Sequence, residues 1–263
     1  MDWRNGEAGL VKSCVLAAAL IVGLALPAHA QNKLTLSGSA TFTTDYMFRS
    51  ISNTNGRPAV QPEFDLTYGM FYATLWGSNT AYGDNIETDG YVGITPKWKD
   101  ITFNFAFMYY GYPGANSGRF IPPGFTTSTN GLGYYELRAG GSWTKGQWTL
   151  GLNNYWSPNN FQVFGQSNAI EGAVAYAFSN KLFNFFSPSV SGTLGFQSYE
   201  RISDYTYWNV GLTLGFMKNW SADIRYYDTN YNDTQCSIQS GNAESSGAHN
   251  CDARAVGTIR ATF

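Results

Sequence analysis

The chain has 263 residues, a net charge of −2, 17% aromatic residues and only 13% charged residues. Soluble domains usually carry about 25% charged residues, so this composition argues against an ordinary soluble domain. The near-neutral balance also argues against a nucleic-acid-binding protein, which would present a basic footprint.

The first segment of the chain has the features of a secretory signal peptide. Arg4 and Lys12 precede an apolar run of about 13 residues, which is too short for a membrane-spanning helix of roughly 20. The run ends before Ala28-His29-Ala30, an A-x-A cleavage site. We therefore expect residues 1–30 to be a signal peptide cleaved after Ala30, and residues 31–263 to form one outer-membrane β-barrel domain.

The remaining sequence alternates apolar and polar residues in segments of about ten, separated by turn residues. This period is typical of the strands of a transmembrane antiparallel β-barrel, which face lipid on one side and the lumen on the other. The pattern predicts twelve strands at 33–49, 59–68, 71–79, 88–98, 101–110, 132–143, 147–157, 168–179, 188–199, 206–217, 219–229 and 253–263.

The predicted connections alternate between short turns and long polar loops, as they do in outer-membrane barrels. The segment 180–187 is too apolar for an ordinary turn. Two interpretations stay open there, an interfacial hairpin or a different strand count.

Charged residues mark the face that should line the lumen. Six predicted strands contain two charges each, always at even spacing, which chance would give about one time in 64. Charges on a lipid face cost about 2–4 kcal/mol for Arg or Lys at the bilayer midplane. The predicted lumen residues are seven acids and six bases: Asp45, Glu63, Asp65, Asp89, Glu136, Glu171, Asp223, Arg49, Lys97, Arg138, Arg225, Arg254 and Arg260.

These charges are nearly balanced, so their number predicts no strong ion preference. A balanced lumen also permits a salt-bridged interior that is partly or wholly closed. We expect Glu63 and Asp65 to find a base in Arg49, across the hairpin loop from them.

Aromatic residues suggest two further features. Trp98, Trp143, Trp148 and Trp220 flank the short turns and Phe263 ends the chain, as in an interfacial aromatic belt. A second set suits a mouth for ring-shaped or sugar solutes, although packing at the membrane interface is the favoured explanation: Tyr72, Trp76, Tyr109, Tyr110 and Tyr134.

One region resembles a known family. Residues 45–54 read D-Y-M-F-R-S-I-S-N-T and are followed by P-A-V-Q at 58–61 and G-M-F-Y-A-T-L-W-G-S-N at 69–79. This is similar to the TorF-like family of proteobacterial outer-membrane porins, with departures at Ser50 and Met70. The resemblance implies an outer-membrane barrel and does not imply a particular solute.

Cys236 and Cys251 are the two cysteines that follow the signal peptide. In an oxidising compartment we expect them to form a disulfide that closes a loop of about 15 residues.

We expect neither catalysis nor a cofactor. His249 is the one histidine after the signal peptide, and Ser245 and Ser246 near it have nothing to orient them. Two oxygen-rich loops, containing Asp84 and Asp233 respectively, match no calcium-binding motif, so no metal is expected.

The sequence thus predicts a Gram-negative outer-membrane channel for passive diffusion of small solutes or ions. The alternative is a closed structural or surface-recognition barrel that acts through its external loops. The expected partners are outer-membrane lipid, the solutes, and the periplasmic chaperone and barrel-assembly machinery that would recognise the C-terminal strand ending at Phe263.

Overall fold

The computed structural model describes residues 33–81, 85–114, 131–240 and 249–263, which form an antiparallel sheet of twelve long strands closed into a barrel. Each strand pairs with the next along the chain, and the first pairs with the last, with Ala40 opposite Ala261. The strands are β1 Leu34–Thr43, β2 Ala59–Tyr68, β3 Phe71–Asn79, β4 Ile86–Ile94, β5 Ile101–Gly111, β6 Tyr134–Lys145, β7 Trp148–Ser157, β8 Ser167–Ala177, β9 Ser187–Tyr199, β10 Tyr205–Phe216, β11 Trp220–Thr229 and β12 Arg254–Thr262.

The predicted fold class and the count of twelve strands are confirmed. The first strand is shorter than predicted, because the chain leaves the wall after Thr43. Arg49 and Ser50 have φ values of 47° and 61°, a left-handed conformation that a strand cannot contain. The predicted signal peptide, residues 1–30, lies outside the described residues and stays a prediction.

The two faces of the wall differ as the alternation requires. Leu36, Leu75 and Val210 point outward and are more than half exposed, whereas their polar neighbours point into the barrel. An exterior of this kind needs an apolar surrounding such as lipid. No helix among the described residues has the length and apolar character to cross a membrane.

Aromatic side chains surround the end of the barrel where the short turns lie, which we call the turn end. Trp98, Trp148 and Trp220 are exposed on the outer face there. Phe263 exchanges backbone hydrogen bonds with Gly38, and its ring lies where a side chain at position 38 would be. Gly38 is therefore required for this aromatic to lie flat against the wall.

The apolar segment 180–187 is a hairpin at the turn end, so the strand count holds. Leu182 and Phe186 form an isolated bridge, and Phe183 is 83% exposed. Phe185 and Phe186 contact Phe216 across the next turn. These aromatics extend the outer belt, as expected of an interfacial hairpin.

The opposite end carries the longer loops and is called the loop end. The loop 44–58 contains a small ribbon in which Met47–Phe48 pairs with Ile51–Ser52. After β7 comes a 3₁₀ turn, Asn160–Gln162. After β11 comes helix α1, Asp233–Gln239, whose first turn is capped by Asn232, followed by a 3₁₀ turn at His249–Cys251.

Replacing Val210 with Arg tests the outer face, since Val210 lies at the middle of β10 and points outward. We expect a loss of about 2–4 kcal/mol in the free energy of unfolding from lipid vesicles. Ala173→Arg is the control, because Ala173 lies at the middle of β8 on the inward parity, two residues from Glu171. Equal losses in urea titrations of both variants would contradict the assignment of faces.

Candidate functional site in the lumen

The lumen is filled at the loop end and open at the turn end. Inward side chains near the loops, such as Glu136, Ala169 and Gln197, are completely buried. Inward side chains toward the turns, such as Thr35 and Ser37, are exposed. The described residues therefore form a cup, with its opening at the turn end.

The main component of the filled end is the loop 44–58, which folds into the barrel and is called the plug here. Asp45 organises its base: one carboxylate oxygen accepts the hydroxyls of Ser52 and Thr54 at 2.6 and 2.7 Å. The other oxygen pairs with Arg254 of β12 at 2.7 Å. Because the carboxylate, the two hydroxyls and the guanidinium each have a hydrogen-bonding partner, the base of the plug has a defined structure.

The tip of the plug is anchored to the far wall by a buried ion pair. The two terminal nitrogens of Arg49 donate to the two carboxylate oxygens of Glu136 on β6, at 2.8 and 2.7 Å. Their side chains are only 4% and 1% exposed. Arg49 also donates to Gln197 on β9 at 2.7 Å, and Tyr110 donates to Glu136 at 3.0 Å.

We call the Arg49–Glu136 pair the latch. The expectation that Arg49 pairs with Glu63 or Asp65 is wrong, because the plug reaches across the lumen rather than back over its own hairpin. Burial lowers the pKa of the Arg49 guanidinium, but the adjacent Glu136 carboxylate outweighs it and raises that pKa well above its ordinary value. Arg49 thus stays charged, as the bidentate pair requires.

Aromatic residues fill the space around the latch. Tyr110 and Tyr134 stack with ring centroids 4.7 Å apart, and Phe161 lies 4.8 Å from Tyr134. Phe161 and Phe164 come from the 158–166 loop, which also folds inward and is buried. The remaining cavity between the plug and this loop is about 20 Å³, room for about one water molecule.

The predicted disulfide between Cys236 and Cys251 is present, with both residues buried. It packs α1 and the His249–Cys251 turn against Ile51 of the plug and against Tyr205 and Tyr207 of β10. The disulfide therefore holds a third loop over the filled end.

The predicted wall charges of the open half form local pairs. Glu63 pairs with Arg260 at 2.6 Å, and Asp223 with Arg225 at 3.1 Å. Arg138 donates to Asn153 at 2.8 Å and has no carboxylate within ion-pair distance among the described residues.

The other predicted wall acids accept hydroxyls. Asp65 accepts from Thr74 and Glu171 from Tyr207. Lys97 lies beyond the end of β4 in a two-residue segment at the turn, where it is exposed. Their roles as pore-lining residues stay predictions.

The predicted aromatic mouth is wrong in part. Tyr109 is on the outward parity with Phe107 and is about half exposed on the exterior. Tyr110 and Tyr134 point inward but are buried beneath the plug. Tyr72 donates to Asn104 at 3.0 Å, which leaves Trp76 as the member of the set that faces an open cavity.

Sequence reasoning placed Glu87 in an oxygen-rich loop rather than among the lumen residues, but it is buried beside the predicted lumen residue Asp89 on β4. Glu87 accepts the hydroxyl of Tyr112, and Asp89 accepts the hydroxyl of Tyr91. Burial, followed by the charges of these two carboxylates, raises the pKa of Tyr46 well above its ordinary value, so the phenol stays neutral. The even spacing of the two acids was the available signal.

The Nδ1 of His249 lies 2.9 Å from Asp252 on an exposed surface. Ser245, Ser246 and Asp84 lie outside the described residues. Within the described part of the chain, no group of three or more metal-ligating side chains is found.

The comparisons with known proteins agree with this architecture. A family model described as "Bacterial protein of unknown function (Gcw_chp)" matches residues 27–263. The chain belongs to the Gcw_chp family. The more specific resemblance to TorF-like porins stays a prediction, and no curated protein matches this Gcw_chp member.

Two solved porins align with this barrel. The KdgM porin aligns with a TM-score of 0.52 and 10% identity, over 86% of this chain and 99% of that chain. The NanC porin aligns with a TM-score of 0.49 and 13% identity, over 87% and 99%. At such identity, the likeness to KdgM is one of fold alone.

Removing one side of the latch should leave a buried charge without its partner. We expect Arg49→Ala and Glu136→Ala each to lower the free energy of unfolding by about 3–5 kcal/mol. The double variant should lose less than the sum of the two, which urea titration of the full cycle measures. Asp252→Ala, in the exposed pair with His249, should cost less than about 1 kcal/mol. Strict additivity at Arg49 and Glu136 would contradict a coupled latch.

Proposed function

We propose that this chain is an outer-membrane, porin-like channel for passive diffusion of small solutes or ions. The observation that carries the proposal is the closed twelve-stranded wall, apolar outside and lined inside by polar and charged groups. Twelve strands enclose more room than an eight-stranded barrel filled by its own side chains, and much less than a 16-stranded porin. The shared fold with a protein named a porin supports this reading.

The proposed route to the membrane follows from the sequence. Residues 1–30 act as a cleaved signal peptide, residues 31–263 form the barrel, and periplasmic assembly factors recognise the last strand through Phe263. The aromatic belt at the turn end would then lie at the periplasmic interface, and the plugged end would face outward.

In this proposal the plug is the constriction of the channel. The cavity left between the plug and the 158–166 loop has room for about one water molecule, and the Arg49–Glu136 pair that anchors the plug is buried. Larger solutes would cross only when the plug moves, which requires breaking the buried pair and its bond to Gln197. The wall charges act through electrostatics and pore width, and the channel performs no chemistry.

A second function is favoured by the filled mouth itself. Plug, inward 158–166 loop and disulfide-held α1 together close the described loop end. A barrel that these segments close permanently would act as a structural or surface-recognition protein. Conductance separates the two functions.

The decisive measurement is single-channel conductance in a planar bilayer. We expect the wild type to give small discrete steps, and Arg49→Ala/Glu136→Ala to raise the step about twofold or more because the narrowest level widens. Glu63→Ala/Arg260→Ala is the matched control, since that pair lies on the open side of the plug and should leave the step nearly unchanged. If both the wild type and the latch variant fold but give no conductance, the result would support the closed, surface-recognition function instead.

Selectivity should respond to Arg138, whose guanidinium has no carboxylate partner among the described residues. We expect Arg138→Glu to shift the reversal potential in a salt gradient toward cations, because the wall loses one positive charge and gains one negative charge. Lys145→Glu makes the same change in net charge at an exposed turn and should shift it far less. Equal shifts would remove Arg138 from the ion path.

A further inference from the structure

A cavity of about 270 Å³ lies directly beneath the base of the plug, on the open side of the lumen. Five neighbouring strands form its wall and the plug forms its roof. This is slightly less than the smallest typical ligand pocket, about 300 Å³, and suits a single small ring. Its lining residues are Thr43, Asp45, Tyr46, Met47, Gln61, Trp76, Asp223, Tyr227 and Thr258.

The charges at this cavity are all neutralised by the protein. Asp45 is bound by Arg254 at 2.7 Å, and Asp223 is bound by Arg225 at 3.1 Å. Glu63, which lies opposite Trp76 in the strand register, is bound by Arg260. A charged solute would therefore lose hydration without meeting a free counter-charge, which is unfavourable.

The groups that remain available are uncharged. The indole N–H of Trp76 and the hydroxyl of Tyr227 make no hydrogen bond to the described part of the chain. The amide nitrogen of Gln61 donates only to Ser78, at 3.4 Å, and its oxygen has no donor among the described residues. These groups supply a donor, a donor-acceptor and an acceptor, the set that matches alcohol hydroxyls.

An apolar surface lies beside these groups. Trp76 and Tyr46 are in ring contact, with centroids 5.3 Å apart, so the position of the indole is set by the buried phenol. Tyr46 itself is held by a backbone hydrogen bond to Thr54 within the plug. The cavity thus combines one fixed aromatic surface with three free neutral polar groups.

We propose that this cavity is a binding subsite for one uncharged, polyhydroxylated ring of about monosaccharide size. The inference rests on the proposed function, because the solute would enter through the open end of the cup. It adds the class of solute. The ring packs on Trp76 while its hydroxyls bond to Tyr227 and Gln61. Because Tyr46 and Met47 belong to the plug, the bound solute contacts the element that closes the channel.

The test uses three probes of one shape: glucose, its amine analogue glucosamine and its carboxylate analogue glucuronate. Binding to the full protein purified in detergent is measured by calorimetry, with no current involved. We expect glucose to bind with a dissociation constant near 1 mM, and both charged analogues to bind about tenfold more weakly. Equal or tighter binding of either charged analogue, or no binding of glucose at about 100 mM, would overturn the proposal.

Variants assign the subsite. Tyr227→Phe removes one hydroxyl and should weaken glucose binding about three- to tenfold, as the loss of one neutral hydrogen bond does. Trp76→Leu should weaken it further, because the ring surface and the indole N–H are both lost. Tyr72→Phe is the control: Tyr72 is an inward tyrosine on the same strand as Trp76, outside this cavity and bound to Asn104, and it should change nothing.

The binding test and the conductance test can contradict the subsite and the channel independently of each other. Glucose binding that depends on Trp76, in a protein that gives no current, would retain the subsite and remove the channel. A conducting protein whose glucose binding is absent, or insensitive to Trp76 and Tyr227, would retain the channel and remove the subsite.

Discussion

The alternation of side chains along a strand is the constraint on which this structure depends. A closed sheet satisfies its backbone hydrogen bonds within the wall, so each side chain has only two choices, outside or inside. Leu36, Leu75 and Val210 occupy the outside, and charge pairs such as Glu63–Arg260 occupy the inside. Once the wall closes through β1 and β12, the chemistry of the molecule is confined to the lumen and the loops.

The lumen is divided by how its charges are neutralised. In the open half, pairs such as Glu63–Arg260 lie on neighbouring parts of the wall and stay partly exposed. At the filled end, Arg49 leaves its own hairpin and crosses to Glu136, where both charges are almost completely buried. A pair of that kind is costly to desolvate and costly to break, so its main effect is to specify one position for the plug.

The filled end combines three separate chain segments. The plug brings Arg49 and Ile51, the 158–166 loop brings Phe161 and Phe164, and the disulfide holds α1 against the same region. Below them, beside Trp76, the lumen keeps neutral polar groups, such as the Tyr227 hydroxyl, that make no hydrogen bond within the described part of the chain. A channel that binds a neutral ring at that level would sense it through Tyr46, which belongs to both the cavity and the plug.

Sequence alone determined the wall, because the twelve strands, their faces and the aromatic belt follow from local period. It also determined the disulfide, because only two cysteines follow the predicted signal peptide of an exported chain. Sequence could not determine the path of the loops, because that path is set by partners far apart in the chain, such as Arg49 with Glu136 and Asp45 with Arg254. It also misjudged Tyr109, since one residue of register moves a side chain from lumen to exterior. Only the tertiary structure decided that the lumen is plugged, because plugging depends on which way a loop folds, and an even spacing of charges is the same in an open barrel and in a closed one.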